Sequence, residues 1–496
     1  MAQASNRDLT ELIMRPNTGT VGKQVRVRSN FFEMTSLPAQ NIQRLNIQFL
    51  PEGTSLPVRR KLWKCFEDSP KGRAFLNKIK PVFDGRANLF SPKPLKCGDD
   101  NLGISFEVNL QQGNRSRGVF KLKIKPVGVI NMGELQLLLD GKSLITSNCL
   151  MAIRVLETLF HHSPYMHYTT MGRSFYTLQG KRPLRNGAEV WQGFNQYARP
   201  TQGKMMVNIG VSSIAFYQPG PLHEMLPKLL GRRSLGELRR GIPDSERIKV
   251  EKILKNLEAV VVHRGAEKRL KYKINKLTPT SAENTVFKDD TGNEVTVAQH
   301  FQNTYNRHLA FPFLPCIVVK KNTFLPMEVC EVVSGQCPVE TPSDYQKGEM
   351  IKFTWNTPNV RANLINQGFN VLDYKDDPYI QQFGVSVKPD MTMVNARVLP
   401  APKISYHASA SFTPVGGTWS LRGKKFANGA TLESWSVVNF ASSINDGSVR
   451  FFIRELGQMF IDKGLVSWFL FLFIYLFQEK KKTWFILIFH LLLFLL

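Results

Sequence analysis

Residues 260–326 bring aromatic, imidazole and cationic side chains together at short spacings. An unstacked base at the end of a nucleic-acid strand binds to an aromatic face, and the last phosphates bind to hydrogen-bond donors. Tyr305 follows His300 by five residues, so the two side chains can share one face if residues 297–307 form a helix. Both side chains can donate to phosphate oxygens. The spacing therefore predicts a surface that binds anions.

A basic run precedes these residues in the sequence. In Lys268–Lys273 (KRLKYK) cations alternate with apolar or aromatic residues. Because successive side chains of a strand point to opposite faces, this alternation places Arg269, Lys271 and Lys273 on one face and Leu270 and Tyr272 on the other. The run predicts a strand with one cationic face.

The composition of the whole chain favours a polyanionic partner. The 496 residues include 65 Lys and Arg against 39 Asp and Glu, a formal net charge of +26. Such an excess is typical of proteins that bind nucleic acid, although it also suits a basic protein whose charges only keep it dispersed. The arginine pairs Arg232-Arg233 and Arg239-Arg240 are interpreted as solvent-exposed faces rather than as ligand contacts.

The sequence contains no pattern that predicts catalysis or a cofactor. The six cysteines are widely spaced, which indicates a reducing compartment and argues against a zinc site. His161, His162 and His167 lie close together but have no neighbouring cysteine or paired carboxylates to complete a metal site. Neither a phosphate-binding glycine motif nor a nucleophile elbow is present. We therefore expect no metal, no cofactor and no catalytic residues.

Periodicity predicts an α+β chain of several domains. Alternating strands are expected at residues 23–28, 44–50, 104–109 and 118–125, and a β-branched strand at 205–217. Helices are expected at residues 57–66, 133–140 and 148–162. Residues 431–463 have the pattern of a strand followed by an amphipathic helix.

Several short motifs, in one order along residues 15–436, resemble those of the Argonaute family. Their order and number carry more weight than any one of them. They are Pro81–Gly85 (PVFDG), Gly172–Tyr176 (GRSFY), Glu189–Phe194 (EVWQGF), Val297–Phe301 (VAQHF), Leu314–Cys316 (LPC), Phe324–Cys330 (FLPMEVC), Arg397–Pro402 (RVLPAP) and Trp419–Phe426 (WSLRGKKF).

The resemblance implies a domain plan for the chain. After a flexible segment at 1–14, we expect an Argonaute N-terminal domain at 15–135, a first linker at 136–218, a PAZ domain at 219–342 and a second linker at 343–430. The PAZ domain is expected to be an OB-like β-barrel with an α/β appendage. The start of a Mid domain is expected at 431–463 and an apolar segment outside the family pattern at 464–496.

The resemblance also implies a site for the 3′ end of a guide RNA. Phe287 corresponds to a base-stacking aromatic, His263 and Tyr272 to phosphate ligands, and Phe324 and Leu325 to the wall around the terminal sugar. The family's phosphate-contacting arginine falls at Leu270 or at Arg269. His300 stands where the family usually has tyrosine. The implied site residues are His263, Arg269, Lys271, Tyr272, Phe287, His300, Tyr305, Lys321, Phe324 and Leu325.

The expected function is therefore small-RNA binding in RNA-mediated silencing, in the cytoplasm or nucleus, with silencing-complex proteins as further partners. Cleavage is not expected, because the Mid-like sequence stops after one strand and one helix and no Piwi-like carboxylates follow. The alternative is a truncated decoy or a membrane-tethered product. Residues 464–496 fit a membrane anchor, an aggregation-prone segment or translated non-coding sequence, and the abrupt change of composition favours the last.

Overall fold

The computed structural model describes most of the chain and divides it into two compact units. The described residues are 19–98, 103–112, 115–263, 270–288, 292–320, 323–338, 343–432, 437, 439, 441 and 444–467. The larger unit comprises residues 26–394, and the smaller comprises residues 19–25 together with residues from 395 onward.

The first part of the larger unit is a five-stranded antiparallel sheet with two helices. Leu45, Ile47 and Phe49 alternate along one strand and pack in one apolar cluster with Trp63 and Phe66 of the first helix. The sheet order is β3-β4-β2-β6-β5. The strands predicted at residues 44–50, 104–109 and 118–125 and the helix predicted at residues 57–66 are confirmed. The elements are β1 (Lys23–Ser36), β2 (Ile42–Leu50), α1 (Leu56–Asp68), α2 (Pro70–Leu76), β3 (Val82–Phe83), β4 (Asn88–Ser91), β5 (Ile104–Gln112) and β6 (Arg115–Ile130).

Two helices and an antiparallel group of strands follow. The long helix buries Val155, Leu156 and Leu159, as its helical spacing predicts, and it ends at His167 rather than at His162. The longest hairpin of this group pairs residues 188–201 with residues 204–217. The elements are α3 (Met132–Leu139), α4 (Ser147–His167), β7 (Thr169–Met171), β8 (Ser174–Pro183), β9 (Ala188–Thr201) and β10 (Lys204–Tyr217).

Residues 220–332 form two small antiparallel sheets around one apolar core, with a hairpin and a helix added at the side. The sheet orders are β11-β19-β12-β13 and β14-β17-β18, and β15 pairs with β16. The elements are β11 (Gly220–Pro221), α5 (Leu222–Leu229), α6 (Asp244–Leu254), β12 (Glu258–Val261), β13 (Lys271–Lys273), β14 (Lys276–Ser281), β15 (Val286–Lys288), β16 (Glu294–Thr296), α7 (Val297–Tyr305), β17 (Pro315–Lys320), β18 (Thr323–Pro326) and β19 (Cys330–Val332).

The remaining elements of the larger unit complete a six-stranded sheet. They are α8 (Asp344–Thr354), α9 (Pro358–Leu372), α10 (Pro378–Gln382) and β20 (Ser386–Val398), and the sheet order is β20-β1-β10-β9-β8-β7. Ser29 Oγ donates to the carbonyl oxygen of Thr392 at 3.0 Å. Phe32 stacks on Phe369 of α9 with ring centroids 4.7 Å apart. Strands from three distant parts of the sequence therefore share one core.

The smaller unit contains short strands and one long helix: β21 (Ile404–Ser405), β22 (Ser411–Phe412), β23 (Thr431–Leu432), α11 (Asp446–Asp462) and β24 (Val466–Ser467). The predicted strand followed by a helix is confirmed by β23 and α11. β24 pairs in parallel with β23, so the paired backbone continues past Gly464, where the sequence predicts a different kind of segment. A Cβ atom on Gly429 would lie 1.8 Å from the Gly464 carbonyl oxygen, which explains the glycine.

Candidate nucleic-acid interface

Five of the predicted site residues form an aromatic cluster in the region of the two small sheets. We define the aromatic cluster as His263, Phe287, His300, Tyr305 and Phe324. The Phe287 ring lies 5.3 Å from the His300 ring and 6.0 Å from the Phe324 ring, measured between centroids. Tyr305 lies 4.6 Å from His263 and 5.9 Å from His300. Side chains from β15, α7 and β18 and from the segment that follows β12 thus converge on one surface.

Helix α7 positions two members of the aromatic cluster. Thr296 caps its first turn by accepting from the Gln299 amide at 3.2 Å, and the Gln299 side chain accepts from the Thr296 amide at 3.0 Å. Val297 and Phe301, four residues apart, are buried and hold the helix on the core. The predicted helix over residues 297–307 is two residues too long, because Asn306 adopts a left-handed conformation with φ 47°.

The hairpin of β15 and β16 fixes the position of Phe287 relative to α7. Phe287 pairs with Val295, and the last residue of β16, Thr296, is also the N-cap of α7. The Phe287 ring and the His300 ring are consequently carried by one continuous hairpin and helix. The contact between them depends on local geometry more than on distant packing.

His263 reaches the same surface from the neighbouring sheet. β12 pairs with β13 on one side and β19 on the other, and the Val262 amide donates to the Val329 carbonyl oxygen at 3.0 Å. One residue further along the chain, the His263 ring packs against the Phe301 ring, with centroids 5.0 Å apart and an angle of 66° between the ring planes. The imidazole thus connects the end of β12 with two rings of α7.

The aromatic cluster presents faces and donors that suit a frayed strand end. All five members are partly buried, which leaves part of each ring accessible. Stacking of one base on such a ring contributes about 1–3 kcal/mol. His300 Nδ1 lies 3.3 Å from Thr304 Oγ1, and when that hydroxyl donates, Nε2 carries the hydrogen and can bind a phosphate oxygen.

The other predicted site residues differ in their placement. Leu325 is only 6% exposed and packs in the apolar core next to Phe324. Tyr272 pairs with Ala259 in the sheet, and no ring contact joins it to the aromatic cluster within the described ranges. Lys271 is exposed on β13. Arg269 and Lys321 lie outside the described residues.

Two residues at the aromatic cluster were missed by the sequence reasoning. Phe301 is buried beneath Tyr305, with ring centroids 5.2 Å apart. Thr304 holds the His300 ring from one turn further along α7. Both could have been found from helical spacing, since positions four residues apart are neighbours on a helix surface.

His162 and Cys316 lie in the protein interior, where they are 5% and 0% exposed. Among the described residues, no three His, Cys, Asp or Glu side chains form a group suited to a metal ion. Burial lowers the pKa of His162 to about 3, and its ring packs against Tyr379 at 4.4 Å. Burial raises the pKa of the Cys316 thiol to about 12, so this core thiol stays protonated. The same described part has no helix that is long and apolar enough to cross a bilayer.

Five family models match successive segments of the chain. The N-terminal domain of argonaute matches residues 23–160, the argonaute linker 1 domain residues 170–218, and the PAZ domain residues 234–344. The argonaute linker 2 domain matches residues 360–406, and the Mid domain of argonaute matches residues 413–466. The aromatic cluster lies within the segment that matches the PAZ domain.

Individual proteins show the same similarity. Protein argonaute 1C of Oryza sativa subsp. japonica is 32% identical over 460 residues, which cover 91% of this chain and 45% of that protein. A crystal structure of Kluyveromyces polysporus Argonaute with a guide RNA matches 91% of this chain and 55% of its own, at 16% identity and a TM-score of 0.55. The chain thus shares that fold and spans about half the length of these relatives.

Proposed function

Because this chain belongs to the Argonaute family, we propose that it binds the 3′ end of a small guide RNA in RNA-mediated gene silencing. The observation that carries the proposal is the convergence of Phe287, His300 and Tyr305 on one partly exposed surface. The Drosophila Ago PAZ domain, solved in complex with 3′-end 2′-O-methylated RNA, matches 24% of this chain at 25% identity with a TM-score of 0.21.

The chemistry of the aromatic cluster supports recognition of end structure rather than of base sequence. The terminal base stacks on the Phe287 ring, while the imidazole of His300 and the phenol of Tyr305 donate to the last phosphates. Every base has a π-face, and contacts with phosphates carry no base code. The net charge of +26 attracts the rest of the backbone. We infer a preference for a two-nucleotide 3′ overhang over a blunt end.

The proposal extends to the setting in which the RNA is bound. All six cysteines are free thiols, which supports a reducing compartment, and we propose the cytoplasm. Guide RNA and proteins of a silencing complex are the proposed partners. The proposal contains no cleavage step, so a magnesium-dependent cut of a guide-matched target by this chain would contradict it.

The test compares short RNA duplexes that carry either a 3′ overhang or a blunt end, with the full chain and fluorescence anisotropy as the readout. The wild type should prefer the overhang. In the double variant Phe287→Ala with Tyr305→Ala, affinity for the overhang should fall at least about tenfold, because the stacking of one base contributes about 1–3 kcal/mol.

Tyr345→Ala is the control for this test. It removes an aromatic ring that is 49% exposed on α8 and lies outside the aromatic cluster. The control variant should keep the wild-type preference. Equal affinity of the wild type for overhang and blunt duplexes would refute the proposed function.

A further inference from the structure

A second polar surface lies in the same region as the aromatic cluster but shares no residue with it. It is a groove of about 280 Å³ between the start of α6, the end of β14 and the start of β17. We define the arginine groove by its main lining residues, which are Arg239, Arg240, Arg247, Thr280, Asn284 and Phe313. Its volume is sufficient for a phosphate with part of a sugar, because one water occupies about 30 Å³.

The three arginines of the arginine groove differ in whether a carboxylate neutralises their charge. Arg247 is paired, with Nε 2.9 Å from Asp244 and Nη1 3.4 Å from Glu251. Arg239 and Arg240 are exposed and form no salt bridge with a carboxylate anywhere in the described ranges. The sequence alone favoured a solvated face for these two arginines, whereas the structure places them at the edge of a concave surface.

A neutral donor lies beside the two arginines. The side-chain amide of Asn284 donates to Ser281 Oγ at 3.0 Å, and this bond uses one of its two N–H groups. The Thr280 hydroxyl is engaged with Thr285 Oγ1 at 2.8 Å, because the Thr285 hydroxyl itself donates to the Ser281 carbonyl oxygen. Guanidinium groups next to an amide donor are the chemistry that binds phosphate oxygens. Phe313 adds one ring to the lining.

The sheet that carries Phe324 also carries one wall of the arginine groove. Ser281 pairs with Pro315 at the groove end of β17, and Phe324 pairs with Val318 three residues further along that strand. Three residues of strand span about 10 Å. A stacked nucleic-acid strand rises about 3.4 Å per nucleotide, so this distance takes about three steps, one more than the two steps of a trinucleotide.

We propose that the arginine groove binds backbone phosphates of the RNA strand whose 3′ end occupies the aromatic cluster. The inference rests on the proposed function, because the aromatic cluster fixes where the strand begins. The ligand is a phosphodiester of single-stranded RNA, since the lining offers cations and donors but no enclosed apolar pocket that would select a base. Binding at the groove adds affinity for longer strands without sequence preference.

The experiment measures the affinity of the full chain for a trinucleotide and for a decanucleotide of the same 3′ sequence. In Arg239→Ala with Arg240→Ala, affinity for the decanucleotide should fall about tenfold, while affinity for the trinucleotide is unchanged. The salt dependence of decanucleotide binding should weaken by about 1.4 in log–log slope, because each phosphate contact with a single strand contributes about 0.7.

Two further variants sharpen the comparison. Arg233→Ala with Lys249→Ala removes the same charge from exposed positions that do not line the arginine groove, and it should leave the affinity of both oligonucleotides near the wild-type value. Glu283→Gln removes the one carboxylate of the lining. We expect it to strengthen decanucleotide binding about twofold, because a like charge near a phosphate opposes binding.

The outcomes separate this inference from the proposed function. Equal losses for the two oligonucleotides, or equal losses in the control variant, would overturn the role of the arginine groove. The same holds if inorganic phosphate or a phosphoserine peptide binds at the groove while RNA affinity is unchanged by Arg239→Ala with Arg240→Ala. The proposed function fails separately, if Phe287→Ala with Tyr305→Ala leaves trinucleotide binding intact.

Discussion

At the residue scale, His300 distinguishes this aromatic cluster from the pattern that the sequence resembles. An imidazole is shorter than a phenol, and it offers two ring nitrogens in place of one hydroxyl. Its Nδ1 is already held by Thr304, so Nε2 is the atom that remains for a phosphate. The affinity for the RNA end should therefore differ from that of a chain with tyrosine at this position.

Replacing His300 with tyrosine tests this consequence. His300→Tyr should bind a 3′ overhang about threefold tighter than the wild type, because the longer side chain reaches further toward the phosphate and one net hydrogen bond contributes about 0.5–1.5 kcal/mol. Anisotropy titrations of both proteins measure this difference.

His167→Gln provides a control, because His167 is exposed at the end of α4, outside the aromatic cluster. It should keep the affinity of the wild type. An affinity of His300→Tyr equal to that of the wild type would show that His300 does not contact the phosphate.

The spacing of His300 and Tyr305, together with the family resemblance for Phe287, His263 and Phe324, was sufficient to name the members of the aromatic cluster. Phe287, His300 and Tyr305 lie within one hairpin and helix, so their proximity follows from nearby sequence. Leu325 was expected to wall the terminal sugar; its burial depends on its partner strand β17, which the local pattern does not reveal. The arginine groove was missed because its lining comes from three separate segments.

At the element scale, α7 connects local sequence to the site most directly. It has nine residues, few enough that its first turn contributes much of its stability. The capping box satisfies backbone donors that would otherwise lack partners. The periodic pattern predicted the helix, but its end depends on the left-handed backbone at Asn306, which a hydrophobic pattern does not encode.

Removing the cap should weaken RNA binding indirectly. Thr296→Ala should cost about 1 kcal/mol of helix stability and lower the affinity for a 3′ overhang a few-fold, because His300 and Tyr305 lose part of their fixed geometry. The measurements are thermal unfolding and anisotropy on the same sample.

Helix α8 offers a matched control, since Ser343 and Gln346 form the same capping box there and none of its residues is buried. Ser343→Ala removes an equivalent cap outside the aromatic cluster and should leave RNA affinity unchanged. A similar loss of affinity in both variants would contradict the positioning role of α7.

At the scale of the whole molecule, the two compact units depend on contacts that are distant in sequence. The α+β class could be predicted from periodicity. The order of the six-stranded sheet could not, because β1 and β20 are distant in sequence and are neighbours only in the folded chain. In the smaller unit, the Phe426 amide donates to the Lys463 carbonyl oxygen at 2.9 Å. A few residues further along both segments, β23 pairs with β24.

Two truncations test where the smaller unit ends. A chain that stops after Ser467 keeps β24, and it should retain the amide protection of Thr431 and Leu432 in hydrogen exchange. A chain that stops after Lys463 loses the partner strand, and this protection should fall, because a lone strand leaves its backbone groups open to water. Identical protection in the two chains would show that β24 does not stabilise the unit.

The pairing of β1 with β20 also has a consequence for synthesis on the ribosome. Ser29 and Thr392 are bonded to each other although they lie 363 residues apart. At about 5–20 residues per second, translation needs roughly 20–70 seconds between the two. During that interval one edge of β1 has no native neighbour, and we expect chaperones that bind nascent chains to occupy it.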